Sequence, residues 1–135
     1  MITHGGCHSY KREILDGVHQ PWHVYRLALF GEHADIGPQT TSYKSARGEI
    51  DGVGYIKGGM HLPGFHTSTV NGTASLSFDT PIKWQNASIE AAGGLVYNAS
   101  LPGLNSVSVL DFKGNFRSMN GPFIVHLENP LVSIS

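Results

Sequence analysis

The sequence predicts an all-β fold: an antiparallel β-sandwich, of jelly-roll or immunoglobulin-like type, with one short N-terminal helix. Three observations carry that reading. Thr73 to Asp79 alternates apolar and polar residues without a break, the period of a strand with one face buried. About eight short β-prone runs are spaced by Gly, Pro, Asn and Ser clusters, as sandwiches and barrels require. Only one stretch has a helical signature. The 135 residues fit one domain, with residues 1–20 as an N-terminal arm and helix, and a chain of that size buries roughly two-thirds of its unfolded surface.

Taken in order, Ser9 is placed to cap a helix running to Asp16, with Tyr10, Ile14 and Leu15 on one apolar face and Gly17 as the stop. Trp22 to Phe30 reads as a central strand, with Tyr25, Leu27 and Leu29 on one face and Arg26 on the other. Gly31 to Arg47 is a long irregular connection, and loops beyond about 12 residues are usually functional, so it is a candidate interaction loop. Gly48 to Gly59 interleaves five glycines with Val53, Tyr55 and Ile56. It lacks the Gly-Lys-Ser/Thr ending of a phosphate loop and the third glycine of a dinucleotide fingerprint, and is read as strand and bend.

Next, Gly64 and the Asn71-Gly72 pair bracket a strand from His66 to Val70, and Asn-Gly suits a tight hairpin. The alternation after it turns Ala74, Leu76 and Phe78 inward. Trp84 follows Pro81 at a bend. Ser88 to Ala91, Leu95 to Asn98, Val107 to Phe112 and Phe123 to Leu127 supply further strands. Pro102-Gly103, Lys113-Gly114-Asn115 and Asn120-Gly121-Pro122 supply the turns between them.

Composition excludes several classes. With 9 basic against 10 acidic residues the net charge is −1, so there is no footprint for a nucleic-acid backbone or an anionic membrane. The charged share is 14%, against a usual share of about a quarter, as expected where hydroxyls, amides or partners cover the surface. The single cysteine, Cys7, allows neither an intrachain disulfide nor a paired-cysteine metal knuckle. No apolar run has the length of a membrane span, and the first residues lack an apolar signal core, so a protein made in a cytoplasm is expected.

The eight histidines invite metal or acid–base chemistry, but their spacing refuses it. His4, Cys7 and His8 lie in a glycine-flexible arm without a rigid frame. His19 and His23 would align on a helix that Pro21 breaks, and are read as surface or interface residues. His61 and His66 flank Pro63-Gly64 and are read as satisfied polar side chains, and His126 as outward on its strand. Glu49 and Asp51 share a face if extended, the spacing of a glycosidase pair or calcium site, and are read as a solvated strand end. Asn71, Asn86 and Asn98 open glycosylation sequons and are read as turn chemistry. No Gly-x-Ser-x-Gly elbow is present. No catalytic, metal or cofactor residue is assigned.

The segments Trp22 to Phe30, Thr41-Ser42-Tyr43, Glu49 to Gly59, the Phe78-Asp79 and Trp84 element, Gly94 to Asn98, Val107 to Phe112 and Gly121 to Val125 form a set. Together they resemble the pattern of a family of small virion structural proteins of tailed bacteriophages. Lys113 departs from the family pattern, which has glycine there, and so does the Gly37-Pro38 loop. The resemblance implies a β-rich particle component without enzymatic activity. It implies a head decoration or cement protein on the capsid surface, bound to the major capsid protein.

Cementing requires a subunit that bridges neighbours, and two modest contacts held at once release slowly. Candidate contact residues are Tyr10, Ile14 and Leu15 on the helix, with Trp22, Tyr43 and Tyr55 as aromatic anchors. For Trp22 and Tyr55 a place in the core is the equal alternative. An exposed strand edge would support a homodimer or trimer. Two rivals remain. One is a glycan-binding module of a tail, neck or fibre, with Trp84 or Tyr43 stacked on a sugar. The other is a metal-dependent enzyme using His61 or His66.

Overall fold

A long antiparallel ladder, bent once, organises the chain. The computed structural model describes residues 1–134. β6 (Ile82–Ala87) runs almost directly into β7 (Glu90–Asn98), and β8 (Ser106–Arg117) into β9 (Gly121–Val125). Ile82 pairs with Val125 and Trp84 with Phe123, then Glu90 with Arg117 and Gly94 with Leu110. The two pairings are thus two arms of one hairpin. At the corner Asn86 and Asn120 take left-handed φ of 48° and 51°, which asparagine tolerates better than most residues. Ser118 closes the gap: its amide reaches Ile89 O at 2.9 Å and its hydroxyl Ala87 O at 2.9 Å.

Further strands add to the β7–β8 arm alone; β6 and β9 remain a two-stranded sheet. β1 (Gly5–Gly6), β8, β7, β2 (Tyr25–Phe30) and β3 (Met60–His61) make a five-stranded sheet in that order. β10 (Val132–Ile134), β5 (Thr73–Ser77) and β4 (His66–Val70) make a three-stranded one. Every strand pairing is antiparallel, and the sheets do not close. One hydrophobic cluster joins them: Tyr25 of β2 meets Phe65 and Phe78 at centroid distances of 5.1 and 5.6 Å, while Trp84 of β6 lies 6.2 Å from Tyr55. The mostly β content, the antiparallel sheets and the short N-terminal helix agree with the sequence.

Particular elements differ. Helix α1 (His8–Leu15) is entered from Cys7, not Ser9, and the Ser9 hydroxyl is buried without a partner. Its end is as expected: Gly17 is left-handed at φ 70°, its amide reaches Ile14 O, and the Val18 amide reaches Glu13 O, the paired bonds of a Schellman stop. The central strand starts at Tyr25, because Pro21 and Trp22 sit in a turn closed by the His23 amide on Gln20 O. Lys113-Gly114-Asn115 is a bulge inside β8 rather than a turn between strands; Phe112 to Asn115 stand opposite the single residue Ala92. Leu76 and Phe78 point inward as predicted, but Ala74 is exposed because the β4–β5 hairpin projects from the core. Gly48 to Gly59 is mostly irregular, with turns at Gly48, Gly54 and Lys57-Gly58, and is tied by isolated bridges Phe30–Glu49 and Val53–Ser88.

Candidate functional site

The glycine segment builds a buried polar knot. Gly59 takes φ 85° and passes so close to β2 that an added Cβ would lie 1.9 Å from Leu27 O. That approach turns the Gly58 amide onto Glu49 Oε2 at 2.8 Å. Glu49, only 8% exposed, also accepts the hydroxyls of Tyr43 and Tyr55. Tyr97 stacks on Tyr43 at 4.5 Å and donates to Gly58 O at 2.6 Å. Burial pushes the Tyr43 and Tyr55 hydroxyls above the ordinary tyrosine range, and the carboxylate beside them pushes them further up.

The solvated strand end holds for Asp51 but not for Glu49, whose partners desolvate it, and for Tyr55 the core alternative holds. Asp51 points outward, toward Lys57 at 4.0 Å, so the two acids form no pair. Tyr55 is core, and Tyr43 has its hydroxyl tied to Glu49 and one ring face covered, so neither is a free anchor. The knot clamps the segment to β2 and holds the carboxylate among donors of the chain itself.

A second constellation holds the N-terminal helix to the sheet. Asn98, fully buried at the end of β7, donates through Nδ2 to Nδ1 of both His19 (3.1 Å) and His23 (2.8 Å). Its Oδ1 accepts the Ser100 amide at 3.0 Å, which fixes the amide orientation. His19 must then carry its proton on Nε2, where it meets Glu13 Oε1 at 2.7 Å, and Glu13 Oε2 takes Asn105 Nδ2 at 2.8 Å. Tyr10 packs edge-on against His19 at 4.7 Å. His19 is therefore buried, contrary to the surface reading, and Tyr10 is core rather than contact. The sequence hid this: Glu13, His19 and Asn98 come from three separate elements.

What the latch displays is apolar. Leu15 is 87% exposed and Trp22 76%, with Ile14 and Val24 partly exposed beside them in sequence. Of the predicted contact residues, Ile14, Leu15 and Trp22 are available on the surface, and the core alternative for Trp22 fails. Trp84 is buried against Phe123 and cannot offer a face to a sugar. His61 and His66 are exposed on separate strands, β3 and β4. Among the described residues no three of His, Cys, Asp and Glu are grouped to hold a metal. No described helix is long and apolar enough to cross a membrane.

A groove of about 680 Å³ is lined by residues of β8, of β9 and of the segment that follows it. Phe116, Phe123 and Ile124 contribute its apolar surface, with His4, Lys113 and Glu128 among its polar lining. His4 Nδ1 accepts the Asp111 amide at 3.0 Å and its Nε2 meets Glu128, tying the N-terminal arm to the rim. His126 is exposed there, outward as read from the sequence. Comparison of the chain with family models, curated proteins and solved structures finds no match.

Proposed function

We propose that this chain is a virion structural protein of a tailed bacteriophage, a decoration or cement subunit that binds and stabilises the major capsid protein shell. The observation that carries the reading is the latched platform: Leu15 and Trp22 stand out from a helix and turn that the Glu13–His19–Asn98 bonds tie to the sheet. Apolar anchors held on a rigid element lose little conformational freedom on docking. The sequence resemblance supplies the shell as partner, and the sheets around one core are taken as an open sandwich.

In this role no bond is made or broken. A subunit seated across a joint between shell proteins adds buried area there, and two contacts held together resist release because the second forms at high effective concentration. The test is the copy number of this chain relative to the major shell protein, by quantitative mass spectrometry of purified particles. A ratio within a small factor of the shell protein is expected. A handful of copies per particle would shift the chain to the neck or tail, where glycan binding becomes the reading to pursue, and absence from particles would sink both.

A further inference from the structure

The β4–β5 hairpin carries an open edge built to pair with itself. Asn71 and Gly72, at φ 51° and 79°, make the two-residue turn in which the closing residues, Val70 and Thr73, are a hydrogen-bonded pair. Antiparallel ladders alternate, so Ser68/Ser75 and His66/Ser77 are also bonded, while Thr67 and Thr69 turn their amides and carbonyls away from β5. An independent bond agrees: Leu76, opposite Thr67, gives its carbonyl to Leu131 on the β10 side at 2.8 Å. β4 is the end strand of its sheet, and all five of its residues are exposed.

We propose that two copies of this chain pair through β4, antiparallel about a twofold axis at Ser68. In that register Thr67 of one copy faces Thr69 of the other. Both have free outward groups, so each pair exchanges reciprocal N–H to C=O bonds, and the twofold supplies the second set. Ser68 meets Ser68 of the second copy at the axis, and His66 meets Val70 at the ends. The three-stranded sheet becomes one continuous sheet across the dimer.

Two features of the hairpin favour a second copy over another partner. The pairing uses the same two residues on both sides, the self-complementarity a twofold interface demands. From Thr67 to Phe78 there is no Lys, Arg, Asp, Glu or Pro, so self-pairing brings no like charges together and the usual guards of a strand edge are missing. Cross-strand Thr–Thr pairs are themselves favourable. A strand edge alone is a small interface, so the dimer is expected in the weak, reversible class. The inference does not depend on the shell being the other partner.

Sedimentation of the whole chain over a series reaching the millimolar range tests it. The wild type is expected to pass from monomer to dimer, with amide exchange at Thr67 and Thr69 slowing as dimer forms. Ser68→Lys and Ser68→Glu each set like charges across the axis and should weaken self-association at least about tenfold. Mixing the two variants should restore it, which an unfolded variant could not do. Thr69→Pro, which removes an outward amide that β5 does not use, should also abolish it. A wild type that stays monomeric throughout overturns the proposal. So does a dimer indifferent to these substitutions, or a lysine–glutamate mixture that fails to associate.

Discussion

Tyr55 Oη lies 2.5 Å from Glu49 Oε2 and also receives the Leu29 amide at 3.0 Å, so one hydroxyl satisfies a buried carboxylate and a central strand at once. Tyr55→Phe therefore removes a bond to an acid and strands a buried amide. Bonds to charged groups contribute about 1.5–3 kcal/mol and an orphaned buried group costs about 1–3 kcal/mol. We expect a loss near 3 kcal/mol, seen as a lower urea midpoint with the slope unchanged. Tyr43→Phe strands no backbone amide but takes the tyrosine donor from Glu49 Oε1, and should cost a similar amount, about 2–3 kcal/mol. If both changes fall within about 0.5 kcal/mol of wild type, Glu49 is not the organising group of the segment.

All five tyrosines share a second property. Burial raises Tyr10, Tyr25, Tyr43, Tyr55 and Tyr97 above the ordinary tyrosine range. A raised folded-state value means that above pH about 10 the unfolded chain has released protons the folded chain retains. The stabilisation is complete below the unfolded value and is lost as pH climbs toward the folded ones. Tyrosinate absorbance near 295 nm should show no step at the usual tyrosine pH and should then rise together with loss of β-sheet circular dichroism. Any tyrosine titrating normally in the folded protein would contradict the packing around it.

Two glycines with left-handed φ separate strain from crowding. Gly72, at φ 79°, has open space where a Cβ would stand, whereas Gly59, at φ 85°, has Leu27 O at 1.9 Å. Gly72→Ala meets only the left-handed penalty of about 1–2 kcal/mol. Gly59→Ala must also push the segment off β2 and tear the Gly58 amide from Glu49, so we expect a loss of about 4 kcal/mol or more. Equal midpoints for the two variants would show that the close approach is absent in solution.

Local patterns were legible and distant pairings were not. Asn71-Gly72 announced its hairpin and Gly17 its helix stop, because a left-handed residue is demanded within a few positions of the pattern that signals it. Trp22 to Phe30 looked like one strand because Trp, Val and Tyr all suit strands, yet Pro21 and the His23-to-Gln20 turn delay it to Tyr25. Glu49 looked solvated because composition cannot show that Tyr43, Tyr55 and the Gly58 amide converge on it. Two apparent strands, Ser88 to Ala91 and Leu95 to Asn98, give way to one, β7, which starts at Glu90 and continues through Gly93 and Gly94. Their Cβ positions are occupied by Leu110 O and the Leu27 side chain, a requirement of packing that a turn reading of glycine misses.

Asn98 and Trp22 should respond in opposite ways to substitution. Asn98→Ala removes the donor shared by His19 and His23 and the acceptor of the Ser100 amide, at a site where Asn98 and the His19 side chain are buried. Leaving such groups unpaired costs about 2–4 kcal/mol, and the damage should centre on the latch, so amide exchange across residues 8–24 should accelerate more than in β7 and β8. Trp22→Ser and Leu15→Ser touch exposed side chains and should stay within about 0.5 kcal/mol of wild type. If the platform is the docking surface, these two stable variants lose association with particles, while Asn98→Ala weakens it only in proportion to the loosened helix. Were the pair to bind particles as well as wild type, the docking surface would have to be sought elsewhere, with the groove lined by Phe116 and Ile124 the next face to mutate.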